Sequence, residues 1–136
     1  MQDCIFCKIV ARKIPAHVVY EDLSTLAFLD IAPASEGHCL VIPKKHYAKL
    51  HEMSSKDAAS LGSSLAKVAA AISKLSPNYN LLQNNGEAAG QVVNHVHFHI
   101  TPRSQQDGIF FKTSRKQLSE AEMQGLTKKI KTLLKH

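Results

Sequence analysis

The chain predicts an α+β fold with a largely antiparallel sheet of about five strands, one long and one short helix, and a further C-terminal helix. Short β-prone runs recur at residues 18–21, 25–30, 38–43, 80–83 and 94–100, and apolar residues repeat at helical spacing between residues 54 and 75 and again after 119. The two kinds of element interleave without the regular strand–helix–strand rhythm of a parallel sheet. With 136 residues, 44% hydrophobic and 21% charged, the expectation is one domain over 1–136 that buries its own core.

Residues 4–9 mix the thiols of Cys4 and Cys7 with bulky apolar groups and lead to Pro15. The runs 18–21 and 25–30, joined by Asp22-Leu23-Ser24, fit a hairpin. A turn-rich connection over 31–37 then delivers 38–43, whose continuous apolar character suits a central strand covered on both faces, and Lys44-Lys45-His46-Tyr47 reads as a short helical turn. Ser54 followed by Asp57 resembles a capping box, after which Leu61, Leu65, Val68, Ile72 and Leu75 form one packing stripe that Ser76-Pro77 closes. Residues 80–83 read as a strand and 84–91 as a glycine-containing loop suited to close backbone approach to an anion. Residues 104–116 read as a strand or arm packing on the body or on a second subunit. Ser119 with Glu122 caps a final helix carrying Met123, Leu126, Ile130, Leu133 and Leu134.

The stretch Asn94-His95-Val96-His97-Phe98-His99-Ile100 is the chemical centre. In a strand His95, His97 and His99 share one face and Val96, Phe98 and Ile100 the other. Three imidazoles at that spacing can divide the roles of nucleophile, proton donor and orienting group, or can all aim at one metal ion. The C-x-x-C pair is half of a tetrahedral metal site or a redox pair, although the thioredoxin-like context for the latter is absent. Three cysteines argue against a secreted disulfide framework, and Cys39 reads as a buried thiol. No apolar run approaches membrane-spanning length and the N-terminus does not read as a signal peptide, so a cytoplasmic or nuclear location and no membrane partner are expected. The net charge of +6 suits an anionic ligand; much of it lies on the C-terminal helix, which speaks against nucleic acid.

These residues resemble the histidine triad (HIT) superfamily of nucleotide hydrolases and transferases. The match is carried by His95-Val96-His97-Phe98-His99-Ile100, with Thr101 the one polar residue in the run. Cys4-Ile5-Phe6-Cys7-Lys8-Ile9, Ala27-Phe28-Leu29-Asp30-Ile31, Gly37-His38-Cys39-Leu40-Val41-Ile42-Pro43-Lys44-Lys45-His46 and Asn84-Asn85-Gly86-Glu87-Ala88-Ala89-Gly90-Gln91 extend it. Together they cover 3–103 as a core, leaving 104–136 as a variable arm and helix. The resemblance implies a nucleoside 5′-monophosphoramidase or related hydrolase acting at the α-phosphate of a purine nucleotide such as AMP or GMP. His97 is then the nucleophile of a nucleotidyl-histidine intermediate, and His99 the partner of the leaving group. It further implies that Asn84, Gly90 and Gln91 line the phosphate site, Asp30 holds the ribose, and Ile5, Phe6, Ile9, Phe28, Leu29 and Ile31 wall the base. A structural zinc on Cys4, Cys7, His46 and His95, no catalytic cofactor, and a homodimer joined through the long helix and a sheet edge are implied as well, with His38 supporting the site. Val92 stands where phosphoramidase members usually carry serine or threonine, leaving its backbone N–H for the phosphate. The other functions considered are a nucleotide-binding scaffold with little catalysis, a dinucleoside polyphosphate hydrolase, and a hydrolase with an open three-histidine zinc.

Overall fold

The computed structural model describes residues 3–135. Five strands, β1 (Val18–Glu21), β2 (Thr25–Leu29), β3 (Cys39–Pro43), β4 (Asn78–Leu82) and β5 (Phe98–Arg103), form one antiparallel sheet in the order β1-β2-β3-β5-β4. The expected hairpin is β1–β2, and its turn is locked by Asp22, whose carboxylate accepts hydrogen bonds from the backbone N–H groups of Ser24 and Thr25. Tyr20 and Ser64 donate their hydroxyls to the same carboxylate, tying the hairpin to the long helix.

That helix, α2 (Ser55–Leu75), begins where the Ser54 hydroxyl accepts from the Asp57 N–H and ends at Ser76, before Pro77. Its buried stripe of Leu61, Leu65, Val68, Ala69 and Ile72 packs on Ala27, Cys39, Val41, Val96 and Ile100. The alternate residues of the same strands, Leu26, Phe28, Leu40 and Ile42, point to the opposite face and pack against Phe6 and Ile9 of a short N-terminal helix, α1 (Ile5–Val10). The sheet therefore carries two cores, and the parity that puts Val96 and Ile100 under α2 sends the histidines to the α1 side.

The histidine strand is displaced from its expected place: the ladder runs over Phe98–Arg103, not 94–100. Upstream of Phe98 the backbone has other partners, since the Val96 N–H donates to the Tyr47 carbonyl and the His95 carbonyl is taken by a side chain. Downstream, β4 starts at Asn78, two residues earlier than expected, and pairs as far as Arg103. The helical turn expected at 44–47 is also corrected. The Lys44 N–H returns to the Ser24 carbonyl, residues 44–47 follow no helical pattern, and a 3₁₀ turn forms instead at Leu50–Glu52.

Residues 104–118 form no strand and run along the surface, anchored where Arg103 meets Asp107 and the Ile109 carbonyl. The final helix, α3 (Glu120–Leu134), has the complete reciprocal cap between Ser119 and Glu122, yet buries none of its residues. Among the described residues no helix is long and apolar enough to cross a membrane.

Candidate active site and metal centre

Two groups of side chains meet on the α1 face of the sheet. The first is Cys4, Cys7, His46 and His95. Cys4 caps α1, its sulfur receiving the Cys7 N–H, so the C-x-x-C spacing turns both thiols to one side of the helix. There Cys4 Sγ lies 3.3 Å and Cys7 Sγ 3.6 Å from His95 Nδ1, and Cys7 Sγ lies 3.3 Å from His46 Nδ1. His95 is wholly buried and its Nε2–H donates to the Pro43 carbonyl at 2.8 Å, which leaves the Nδ1 lone pair aimed at the sulfurs. Burial pushes the pKa of His95 down to about 4, and burial together with the neighbouring Cys4 raises Cys7 to about 11. Two thiols and two imidazole nitrogens converging in this way could hold a metal ion.

The second group surrounds His97 and His99, where backbone partners determine the proton positions of the neutral rings. A carbonyl can only accept, so at 2.7 Å from the His95 carbonyl His97 Nδ1 must be the protonated nitrogen, and Nε2 carries the lone pair. An amide N–H can only donate, so the Ala34 N–H at 3.0 Å makes His38 Nδ1 the acceptor and puts the proton of His38 on Nε2. That proton is donated across 2.9 Å to His99 Nδ1, which leaves His99 with its own proton on Nε2. The two rings, 5.1 Å apart between centroids, thus present opposite functions: a lone pair from His97 and an N–H from His99. Asp30 stands behind them with Oδ2 3.6 Å from His38 Nε2.

Both rings line a cleft of about 520 Å³. The expected wall residues Ile5, Phe6, Ile9, Phe28, Leu29 and Ile31 border it, as do Asp30, Asn84, Gly90 and Val92. Gly90 takes φ +93°, and a Cβ there would stand 3.3 Å from the Asn84 amide, so glycine at 90 lets Asn84 close on the loop. Gln91 is not among the lining residues. Its carbonyl oxygen accepts from the Gly86 N–H and the Lys49 ammonium, and its amide donates to the Ala48 and Val93 carbonyls. The side chain is a buried staple of the loop, and a polar residue beside glycines gives no sign in sequence of which way it turns.

Ile14, Pro15, Ala16, Leu40, Leu82 and Val93 also line the cleft, although the sequence did not single them out. Leu40 and Leu82 were findable, because both lie opposite His99 in the ladders of β5 with β3 and β4. Val92 sits at the rim, 90% exposed. Among the described residues the possible metal groups are the Cys4 cluster and Asp30-His38-His99, and His97 joins neither. The three triad histidines therefore do not converge on one ion.

Burial, with His97 and His38 nearby, holds the pKa of His99 at about 4, below the ordinary value of 6.5. As pH falls through 6.5 the unfolded chain takes up a proton at this residue and the folded protein does not, so stability is complete above that value and is lost progressively toward pH 4. Urea unfolding from pH 7 to 4.5 is expected to show this slope, and His99→Gln to make it shallower; an unchanged slope in the variant would contradict the assignment.

A family model described as HIT domain matches residues 11–106. The chain is 46% identical to adenosine 5′-monophosphoramidase hnt1 of Schizosaccharomyces pombe, over 97% of this chain and 98% of the relative. Among solved structures it resembles a HIT family member from Bacillus subtilis, with TM-score 0.90 and 38% identity over 96% of each chain. It also resembles a Zn-bound histidine triad family protein from Mycobacterium smegmatis, with TM-score 0.75 and 35% identity over 85% of each chain.

Proposed function

Since this chain belongs to the HIT domain family, we propose that it is a nucleotide hydrolase acting at the α-phosphate of purine nucleotides, a nucleoside 5′-monophosphoramidase or close relative. The observation that carries this reading is the pair of complementary ring nitrogens in one cleft, the lone pair on His97 Nε2 and the proton on His99 Nε2, each set by a hydrogen bond on the other side of its ring. The apolar walls accept a base with little selectivity, and the acceptor oxygens of Asp30 suit the vicinal hydroxyls of a ribose. Asn84, Gly90, the backbone of Val92 and the loop braced by Gln91 surround the phosphate.

In the reaction His97 Nε2 attacks the α-phosphorus and the bond to the leaving amine breaks. The electron pair of that bond leaves with the nitrogen, which takes the proton from His99 Nε2. The negative charge this leaves on His99 is balanced by the positive charge of the nucleotidyl ring on His97, which keeps its Nδ1 proton, until water returns a proton to His99. Water then adds to the nucleotidyl-histidine, giving its proton to His99, and the P–N bond breaks to release the nucleoside monophosphate and restore both rings. His38 keeps His99 in the tautomer that can donate. Incubation with adenosine phosphoramidate, acid quench and peptide mass analysis should find one adenylyl group on the peptide containing His97. Turnover with no adduct at any quench time would count against a covalent route.

The Cys4, Cys7, His46 and His95 cluster suits a structural zinc. Zinc bonds of about 2.3 Å to sulfur and about 2.0–2.1 Å to nitrogen at tetrahedral angles separate the two atoms by about 3.5 Å, in keeping with the sulfur–nitrogen distances found. Four protein ligands fill such a site, so the ion would pin α1 to the sheet and supply no nucleophile. The reading also includes a cytoplasmic protein, in keeping with its free thiols. A homodimer is part of it too, for which the edge strand β4 offers the exposed side chains of Tyr79, Leu81 and Leu82. Residues 3–103 form the catalytic body, with 104–136 as an appended arm.

A further inference from the structure

We propose that Phe6, beyond walling the cleft, is a positioning residue for His97, so that whatever holds Cys4 and Cys7 also governs the attitude of the nucleophile. The inference rests on the catalytic role given to His97 above. Phe6 is 6% exposed and packed against Phe28, and its ring stands edge-on to both His95 and His97, with centroids 5.8 and 5.1 Å away at angles of 77° and 78°. Edge-to-face packing is directional, so this ring limits the rotation left to His97 once its Nδ1 is fixed to the His95 carbonyl.

Phe6 is in turn fixed by its place in α1. That helix has six residues, of which two, Phe6 and Ile9, are buried, and its N-terminal turn is tied down by the thiols on either side of Phe6 in sequence. A helix this short has little stability of its own and takes its position from such contacts. The thiol cluster, Phe6 and His97 thus form one connected unit, in which displacement of α1 reaches the attacking ring directly through the Phe6 edge and also through His95, which the thiols touch and whose carbonyl holds His97 Nδ1.

The test compares wild type with Phe6→Leu and Phe6→Met, which retain apolar bulk without the ring edge, in the full-length protein. Misplacement of a reacting group by about an ångström costs on the order of a hundredfold in rate, so the single-turnover rate of His97 adenylylation should fall about tenfold to a hundredfold. Affinity for AMP, measured by calorimetry, should fall at least about tenfold less than the rate, because the remaining walls and Asp30 still hold the nucleotide. Nitrogen-15 spectra should show sharp ring signals for His97 in wild type and shifted, exchange-broadened ones in both variants, as the ring gains rotation about the bond that holds Nδ1 to the His95 carbonyl. An affinity loss equal to or greater than the rate loss, with the His97 spectrum unchanged, would overturn the proposal and leave Phe6 as a wall. Failure of wild type to form the adduct would instead remove the nucleophile assignment, so the two failures are distinguishable.

Discussion

His97→Ala is expected to lower the hydrolysis of an adenosine phosphoramidate by roughly 10⁴-fold or more, since it removes the atom proposed to bond to phosphorus and not merely a contact to it. AMP affinity should stay within about threefold of wild type, because the groups proposed to hold the nucleotide, Asp30, the loop and the apolar walls, all remain when the imidazole is removed. His99→Ala should cost less, about 10²–10⁴-fold, as a proton donor assists a bond cleavage that a good leaving group can undergo alone. The ratio of the two losses should therefore widen as the leaving group becomes more acidic. Rate assays on both variants with two leaving groups, alongside calorimetry, check the prediction; an active His97→Ala protein would remove the nucleophile from the mechanism.

Much of this site was legible because the sidedness of an extended chain does not depend on where the ladder begins. His95, His97 and His99 reach the α1 face with Val96 and Ile100 under α2, even though the ladder starts only at Phe98. The hairpin turn at Asp22 and the caps at Ser54 and Ser119 were legible for a similar reason, since each is a local exchange of hydrogen bonds within a few residues. What the triad histidines do separately was not local. His95 is distinguished by two cysteines about ninety positions earlier in the chain, and His99 by His38. The spacing of three imidazoles is equally compatible with one shared ion, and the long-range partners decide against it. Gln91 and the 44–47 segment misled for a related reason, as their backbone and side-chain partners lie in other loops. The helical character of Ile5–Val10 could not be read from six residues dominated by two thiols, because the contacts that hold it are tertiary.

On the zinc site proposed for Cys4, Cys7, His46 and His95, treatment with a chelator is expected to lower the thermal midpoint by on the order of 10 °C and to leave measurable turnover. The midpoint falls because a closed site of two thiolates and two imidazoles binds the folded chain far better than the unfolded one, and losing about 3 kcal/mol of that linkage shifts a chain of this size by roughly that amount. Turnover persists because neither His97 nor His99 is one of the four proposed ligands. The His95 carbonyl that fixes His97 belongs to a ligand residue, but it is a backbone group that stays beside the ring when the ion leaves, and His38 still sets His99. Some rate must nevertheless be lost, since α1 loses its tether and Phe6 its fixed stance; the residual rate should approach that of Phe6→Leu. An open three-histidine zinc predicts the opposite balance, a complete loss of chemistry with the metal. Scanning calorimetry and single-turnover assays on chelated and zinc-reloaded protein separate the two: extinction of the rate below the Phe6→Leu value, restored by zinc, would place the ion in the reaction itself.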